Sequence, residues 1–367
     1  MARVESVEVR TLSMPLAVPY WSMISTIHAL ETMVVEVRAS DGRSGFGEAA
    51  IYTGYTDETP EGGFRFCSEQ AQRLLGQNLD DAIATLAVHR RGNSHAVSCL
   101  VSAMEMAQVH PALAPREEER MLPLLAPVHA MELAEVPAEI EALLAEGYRT
   151  LKVKVGANVD ADLRRVAFIQ RVVQGRAGIR LDANQGFSRA DGCRFAAALD
   201  PSGIELFEQA CAAEDWDAAV AVKQVATVPM MLDESIFGER EIERAAELRA
   251  ASYIKLKLVK AAGVAWLRDG LGLIRRLGMR PVLGNGVATE IGCWMEACAS
   301  DGLLDNAGEM NGYLKPKARL FRNPLPFAEG NMIIPAGYFP EIDRDALERV
   351  STRVERIAPA VVRGASR

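Results

Sequence analysis

Apolar and polar residues alternate with a period of two through VESVEVRTL and ETMVVEVRAS, and again through SGFGEA after the turn dipeptide Asp41-Gly42. Successive side chains of a strand face opposite sides, so this alternation predicts a three-stranded antiparallel sheet over residues 1 to about 50. From about 66 to 118 the alternation gives way to helical spacing, most regular in SAMEMAQV. The N-terminal third, residues 1–121, therefore reads as an α+β domain.

From residue 122 a different pattern sets in and repeats. Short apolar runs recur, each followed by a helical stretch: LLAPVHA, YRTLKVKVG, GIRLDANQ, GIELFEQ, VPMMLDES, SYIKLKLVK, RPVLGNG and LLDNAGEMNG. Pro137 and Gly147 mark the start and end of the helix between the first two. Strand, helix, strand at this spacing means parallel strands joined by crossovers, and eight runs predict a closed α/β barrel. No helical unit follows the eighth, so the expected form is a modified (β/α)8 TIM barrel, (β/α)7β, over residues 122–325. NPLPFAEG then leads to a strand-like NMIIP and a last helix, DRDALERV. This segment, 326–367, is expected to return to the N-terminal capping domain. The alternative, an open doubly wound sheet, needs a glycine-rich dinucleotide turn after an early strand. Gly270 and Gly272 lie in a helical stretch and do not supply one.

Within YRTLKVKVG, Leu151, Val153 and Val155 share one face and Lys152 and Lys154 the other. Alone, this is also the pattern of an edge strand blunted by lysine. SYIKLKLVK repeats it, with Ile254, Leu256 and Leu258 opposite Lys255 and Lys257. Lys154, Asp182, Glu208, Asp233 and Lys257 stand at or near the ends of five successive runs, separated by 28, 26, 25 and 24 residues on subtraction. One βα unit separates each from the next. In a barrel they meet at the C-terminal rim, where active sites of this architecture are built. Three carboxylates aimed at one volume require positive charge among them. With neither Cys nor His in the set, the donors suit a hard cation, Mg²⁺ before Mn²⁺ or Ca²⁺. Lys154 is placed to act as a base, and Lys152 behind it supplies fixed positive charge and a contact to a substrate oxygen.

The combination of KxK at Lys152 and Lys154, DAN from Asp182 to Asn184, LFEQ with Glu208, LDES with Asp233 and KLVKAAG from Lys257 resembles the enolase superfamily. The resemblance covers almost the whole chain. It implies Mg²⁺ on Asp182, Glu208 and Asp233, and removal of a proton α to a carboxylate through an enolate, the chemistry general to that superfamily. Mandelate-racemase-like members set a His, paired with Asp, opposite the first lysine. Here all five histidines (His28, His89, His95, His110 and His129) precede residue 130. Lys257 then takes the opposite face, as in the muconate-lactonizing-enzyme subgroup of cycloisomerases, o-succinylbenzoate synthases, racemases and epimerases. Two bases suit racemisation or epimerisation of a small carboxylate, such as an amino-acid derivative. Cycloisomerisation or dehydration, which need one base, are the alternatives within the superfamily. Outside it stand a Schiff-base aldolase on Lys257 and a catalytically silent barrel serving as a binding or structural subunit.

Asn285 and Glu309 end the seventh and eighth runs, where substrate would lie. Glu309 either accepts a substrate ammonium or bridges a site lysine. The DxD-type motif of dipeptide epimerases is missing, which disfavours dipeptides. Trp21, His28, Tyr52 and Tyr55 fall in segments that in the superfamily fold over the barrel mouth, and TGYTDETPEGG suits a mobile lid. Glu234 is expected on the strand face away from the site. Composition adds exclusions: a net charge of −8 without a basic stripe argues against nucleic acid, and no apolar run reaches bilayer-spanning length. A cytoplasmic homo-oligomer is expected, with the six cysteines, which form no CxxC, as buried thiols.

Overall fold

The computed structural model describes residues 2–21, 26–54 and 56–359, without the side chains of residues 20, 21 and 26. The alternating N-terminal segments form β1 (Val4–Trp21), β2 (Thr26–Ala39) and β3 (Ser44–Ala49), paired antiparallel in that order. Val7, Val9, Val35 and Val37 bury one sheet face against α1 (Pro60–Leu74), α2 (Leu79–Ala87) and α3 (Ser94–Ala107). α3 is buried along its whole length, as its small and apolar SHAVSCLVSAMEMA permits. β3 runs so close to it that a Cβ on Gly47 would stand 2.0 Å from the Cys99 carbonyl oxygen.

The repeat that follows folds as β4 (Arg120–Pro123), β5 (Ala126–Val128), α4 (Val136–Ala145), β6 (Thr150–Lys154), α5 (Val159–Val173), β7 (Gly178–Asp182), α6 (Arg189–Ala198) and β8 (Ile204–Glu208). It continues through α7 (Trp216–Val225), β9 (Met230–Leu232), α8 (Glu239–Glu247), β10 (Tyr253–Leu256), α9 (Leu258–Ala261), α10 (Val264–Arg276), β11 (Arg280–Leu283) and α11 (Glu290–Ala299). β5 to β11 form one parallel sheet in sequence order. The eighth run is no regular strand, because DNAGEMNG has few residues that favour extension. Its backbone nevertheless closes the ring. The Gly308 N–H donates to the Pro123 carbonyl, the Gly308 carbonyl accepts from Leu125, and the Glu309 N–H donates to the Leu283 carbonyl, each at 2.9 Å. The fold is a modified TIM barrel with an antiparallel cap.

The tail reaches the cap sheet, with two features that the sequence pattern did not give. β13 (Asn331–Ile334), the NMIIP run, pairs with β4 instead of the cap sheet, and β12 (Phe327–Ala328) pairs with the other edge of β13. α12 (Arg344–Val350) is followed by an unpredicted β14 (Ser351–Ile357), which adds to the edge of β1 and makes the cap sheet four-stranded. STRVERI has only two apolar side chains, too few to show a periodicity.

Two buried glutamates fasten the cap to the barrel. Glu48 on β3 accepts hydrogen bonds from the Thr289 N–H (2.7 Å), the Thr289 hydroxyl (2.6 Å) and the Gly292 N–H (2.9 Å) at the start of α11. Glu105 on α3 accepts from Val264 and Ala265 at the start of α10. A helix N-terminus presents unpaired N–H groups and partial positive charge, so each carboxylate acts as a cap supplied from another layer. All six cysteines are free, five of them buried. Among the described residues no helix is long and apolar enough to cross a membrane.

Candidate active site

A cavity of about 380 Å³ opens at the C-terminal ends of the barrel strands, beneath the cap. Its floor is a lattice of alternating charges. The Lys152 ammonium lies 2.8 Å from Asp182, 3.0 Å from Glu208 and 3.0 Å from Glu309. Lys255 lies 3.1 Å from Glu208 and 3.7 Å from Asp233, and bonds Glu309 as well. Lys154 donates to Asp182 at 2.7 Å and to Asn184. Lys257, just past β10, donates to Asp233 at 2.8 Å, and Lys260 donates to the same carboxylate at 2.9 Å. Strand register accounts for the convergence: Lys154 pairs with Asp182 and Asp182 with Glu208 across adjacent parallel strands.

The lattice sets the protonation states. Burial disfavours the Lys152 ammonium, but Asp182, Glu208 and Glu309 outweigh it and hold this lysine well above its ordinary range. Burial likewise pushes Asp182, Asp233 and Glu309 up, and the surrounding lysines bring each below the usual carboxylate range. Glu208 is the exception. Burial and the neighbouring Asp182 charge raise it despite Lys152 and Lys255, so this carboxyl holds a proton more tightly than an ordinary one.

The polypeptide leaves the strands through strained turns. Asn184, Gln185 and Gln209 adopt positive φ of 40°, 70° and 39°, conformations that a non-glycine residue takes at a cost. Gln209 repays this by accepting from the Asp233 N–H (3.0 Å) and donating to the Ser235 hydroxyl (2.8 Å), which fixes the turn bearing Asp233. Glu234 lines the cavity, contrary to expectation: β9 ends at Leu232, so strand alternation no longer governs it. Its carboxylate accepts from Asn184 at 2.8 Å, and burial beside Asp233 and Asp182 raises it to about 7.

The sequence-predicted positions divide clearly. Lys152, Lys154, Asp182, Asp233, Lys257, Asn285 and Glu309 line the cavity, and Glu208 lies buried beside it. Lys154, with 37% of its side chain exposed against 4% for Lys152, is the one nearer the mouth. Glu309 is turned to Lys152 and Lys255, so of its two expected roles the structure has the salt bridge. His28 is exposed and outside the lining; its strand neighbour Ile27 faces the cavity instead, as alternation requires. Trp21 ends β1, but its side chain lies outside the described ones, and Tyr55 lies outside the described residues. Tyr52 lines the cavity. Among the titratable lining residues, Lys255 and His95 were not singled out. Lys255 was legible, since SYIKLKLVK repeats the pattern around Lys152. His95, which enters from α3, had no signal: the lack of histidine beyond residue 129 cleared histidine from the barrel strands after the first, but not from the cavity.

As the side chains stand, no three carboxylate, imidazole or thiolate groups among the described residues are disposed to hold one ion, because ammonium groups lie between them. The expectation that positive charge sits among the carboxylates is met by Lys152 and Lys255. The donor chemistry still fits a hard divalent cation. Asp182, Glu208 and Asp233 are oxygen donors ending or following three successive strands, all buried.

Residues 135–338 match the family model described as enolase C-terminal domain-like. The chain is 26% identical over 296 residues to the L-Ala-D/L-Glu epimerase of Clostridium acetobutylicum, covering 77% of this chain and 82% of that one. It is 28% identical over 358 residues to muconate cycloisomerase 1 of Rhodococcus opacus, covering 90% and 93%. A solved structure of a muconate lactonizing enzyme superposes with a TM-score of 0.86 at 26% identity, over 95% of this chain and 99% of that one. The chain belongs to the enolase superfamily, among the isomerases of its muconate-lactonizing-enzyme-like branch.

Proposed function

We propose that this protein racemises or epimerises a small carboxylate, such as an amino-acid derivative, by proton transfer at the α-carbon between Lys154 and Lys257. One observation carries the reading. Lys154 ends β6, the second strand of the ring, and Lys257 follows β10, the sixth. In an eightfold ring these positions are half a turn apart, so the two ammonium groups face a bound substrate from opposite sides. Asp182, Glu208 and Asp233 lie between them.

One lysine, as the neutral amine, takes the α-proton, and the electron pair of that C–H bond passes into the carboxylate as an enolate. The other, as ammonium, returns a proton to the opposite face and becomes the neutral amine. Lys152 supplies fixed charge beside the substrate carboxylate. Mg²⁺ or Mn²⁺ held by Asp182, Glu208 and Asp233 would neutralise charge developing on the substrate carboxylate. Gln209 and Asn184 hold the carboxylate turn and Lys154 in place.

The test is incubation in D₂O with Mg²⁺ and a panel of N-substituted amino acids, hydroxyprolines, betaines, dipeptides and sugar acids, followed by mass spectrometry for α-deuterium. Lys154→Ala and Lys257→Ala should each abolish racemisation, and each should retain exchange of one enantiomer at most. Normal racemisation by both variants refutes the assignment. Cycloisomerisation is the second reading, favoured by likeness to a muconate cycloisomerase through cap as well as barrel. It predicts ring closure of an unsaturated dicarboxylate with Lys257→Ala partly active.

A further inference from the structure

α11 is buried along its whole length, and its sequence EIGCWMEACA sets a carboxylate within that burial. Glu296, 1% exposed, is costly there without a partner, and the partner comes from outside its own helix. Its Oε1 accepts from the backbone N–H of Leu258 at 2.9 Å. Burial raises the carboxyl to about 7, although that N–H and the Lys257 ammonium lower it. Either protonation state leaves an oxygen that can accept.

The bond matters because of where Leu258 stands. β10 ends at Leu256, whose carbonyl accepts from Gly284 at 3.1 Å, and α9 begins at Leu258. Lys257 lies between them, past the last strand residue and before the first helical one. Its carbonyl accepts from Lys260 (3.1 Å) and Ala261 (3.0 Å), which ties it to a helix of only four residues, too short to hold its own place. Lys257 has no side-chain oxygen with which to cap that helix, so the first N–H is capped from α11 instead. Glu48 and Glu105 do the same for α11 and α10. Lys154 is held differently. It is a paired residue of β6, opposite Asp182 in the register, and its carbonyl accepts from the Arg165 guanidinium at 2.9 Å. One lysine is thus rooted in the sheet and the other in a single turn of helix that Glu296 pins.

We propose that Glu296 is the positioning residue of Lys257: by holding the Leu258 N–H it fixes the peptide from which the Lys257 side chain springs, and so the aim of that amine at one face of the substrate. Asp233 holds the tip of the same side chain, at 2.8 Å, and Glu296 its root. The role of Lys257 as a base rests on the proton-transfer reading above; the placement of its side chain does not. Acting on one lysine alone, Glu296 governs one stereochemical face of exchange and leaves the other to Lys154.

The test compares the full natural chain, with Mg²⁺, against Glu296→Met, which fills the volume without a carboxyl oxygen, and Glu296→Gln, which keeps an acceptor. Brief acetylation with N-acetoxysuccinimide, read lysine by lysine through peptide mass spectrometry, reports how each amine is held without any substrate. Relative to Lys154, Lys257 should react about fivefold faster in Glu296→Met, the worth of one buried hydrogen bond, and return toward the natural ratio in Glu296→Gln. In D₂O, on each acid of the panel that the natural chain exchanges, Glu296→Met should lose about tenfold or more of the exchange that Lys154→Ala retains and keep the exchange that Lys257→Ala retains. An unchanged ratio of the two lysines, an equal rise at both, or a change that Glu296→Gln does not relieve overturns the proposal. Faster labelling of Lys257 with no exchange of any acid leaves it standing and refutes proton transfer; exchange at both faces with unchanged labelling does the reverse.

Discussion

Glu48→Ala tests whether the cap is held in register by a carboxylate buried between layers. In the native chain this side chain accepts from two backbone N–H groups at the start of α11 and from two hydroxyls, Thr289 at 2.6 Å and Thr32 at 3.2 Å. The hydroxyls can rotate to other acceptors, whereas the N–H groups of Thr289 and Gly292 cannot. Each buried donor left unpaired costs about 1–3 kcal/mol. Burial also raises Glu48 above its ordinary range, so its removal returns some desolvation cost. The balance is a loss of about 3 kcal/mol. With an unfolding entropy of about 2 cal/mol/K per residue, that lowers Tm by about 4 °C in a chain of this length.

The loop entering α11 carries Asn285, Gly286 and Val287, and β3 leads into Ala50, all of which line the cavity. Loosening this contact should therefore raise KM more than it lowers kcat, because it moves walls and not bases. Scanning calorimetry and initial rates on whichever substrate the exchange panel identifies measure the two effects. Glu48→Gln, which keeps one acceptor oxygen, should fall between. A Tm within 1 °C of the natural chain, or a kcat loss at unchanged KM, refutes the reasoning.

Glu105→Gln should change the pH dependence of stability. Burial raises Glu105 to about 7, against 4.5 for the ordinary carboxyl. The folded state then binds the extra proton, so this group's contribution is full below about pH 4.5 and is lost as pH rises toward 7 and above. The loss is about 3 kcal/mol. A permanently neutral glutamine does not lose it, so the variant should gain on the natural chain between pH 5 and 8 in denaturant titrations; a constant difference sinks the assignment. Gly284→Ala should be severe, because φ is +136° and the new Cβ would stand 2.6 Å from the backbone nitrogen of Glu309. That contact lies where the ring closes. Loss of about 3 kcal/mol or more, read by urea unfolding, is expected, and a neutral result would mean that the closure yields freely.

What was legible in the sequence follows from which forces are local. The barrel strands announce themselves because parallel strands covered on both faces are continuous apolar runs, and the charged residues among them are costly enough to need a purpose. Lys154, Asp182, Glu208, Asp233 and Lys257 could be placed on one rim from spacing alone. β14 could not be found this way, since an edge strand is specified by its partner β1 more than by its own residues. The eighth run was misjudged as a strand for the opposite reason: two or three backbone hydrogen bonds suffice to close a ring whose other members already fix its curvature.

Errors of orientation at the site share a cause. Alternation assigns faces only while the chain is extended, and the residues that do chemistry sit just beyond the last extended residue. Glu234 entered the cavity because β9 stops at Leu232, and Asn184 turned toward Lys154 because its backbone is left-handed. His28 and Ile27 lie inside a strand, where alternation holds, and the error there lay in preferring the more reactive side chain to the one that the register points inward. A histidine delivered by a buried helix lies beyond such rules altogether. Its place in the cavity depends on the packing of α3 against α9, a contact between residues about 160 positions apart, which no local period encodes.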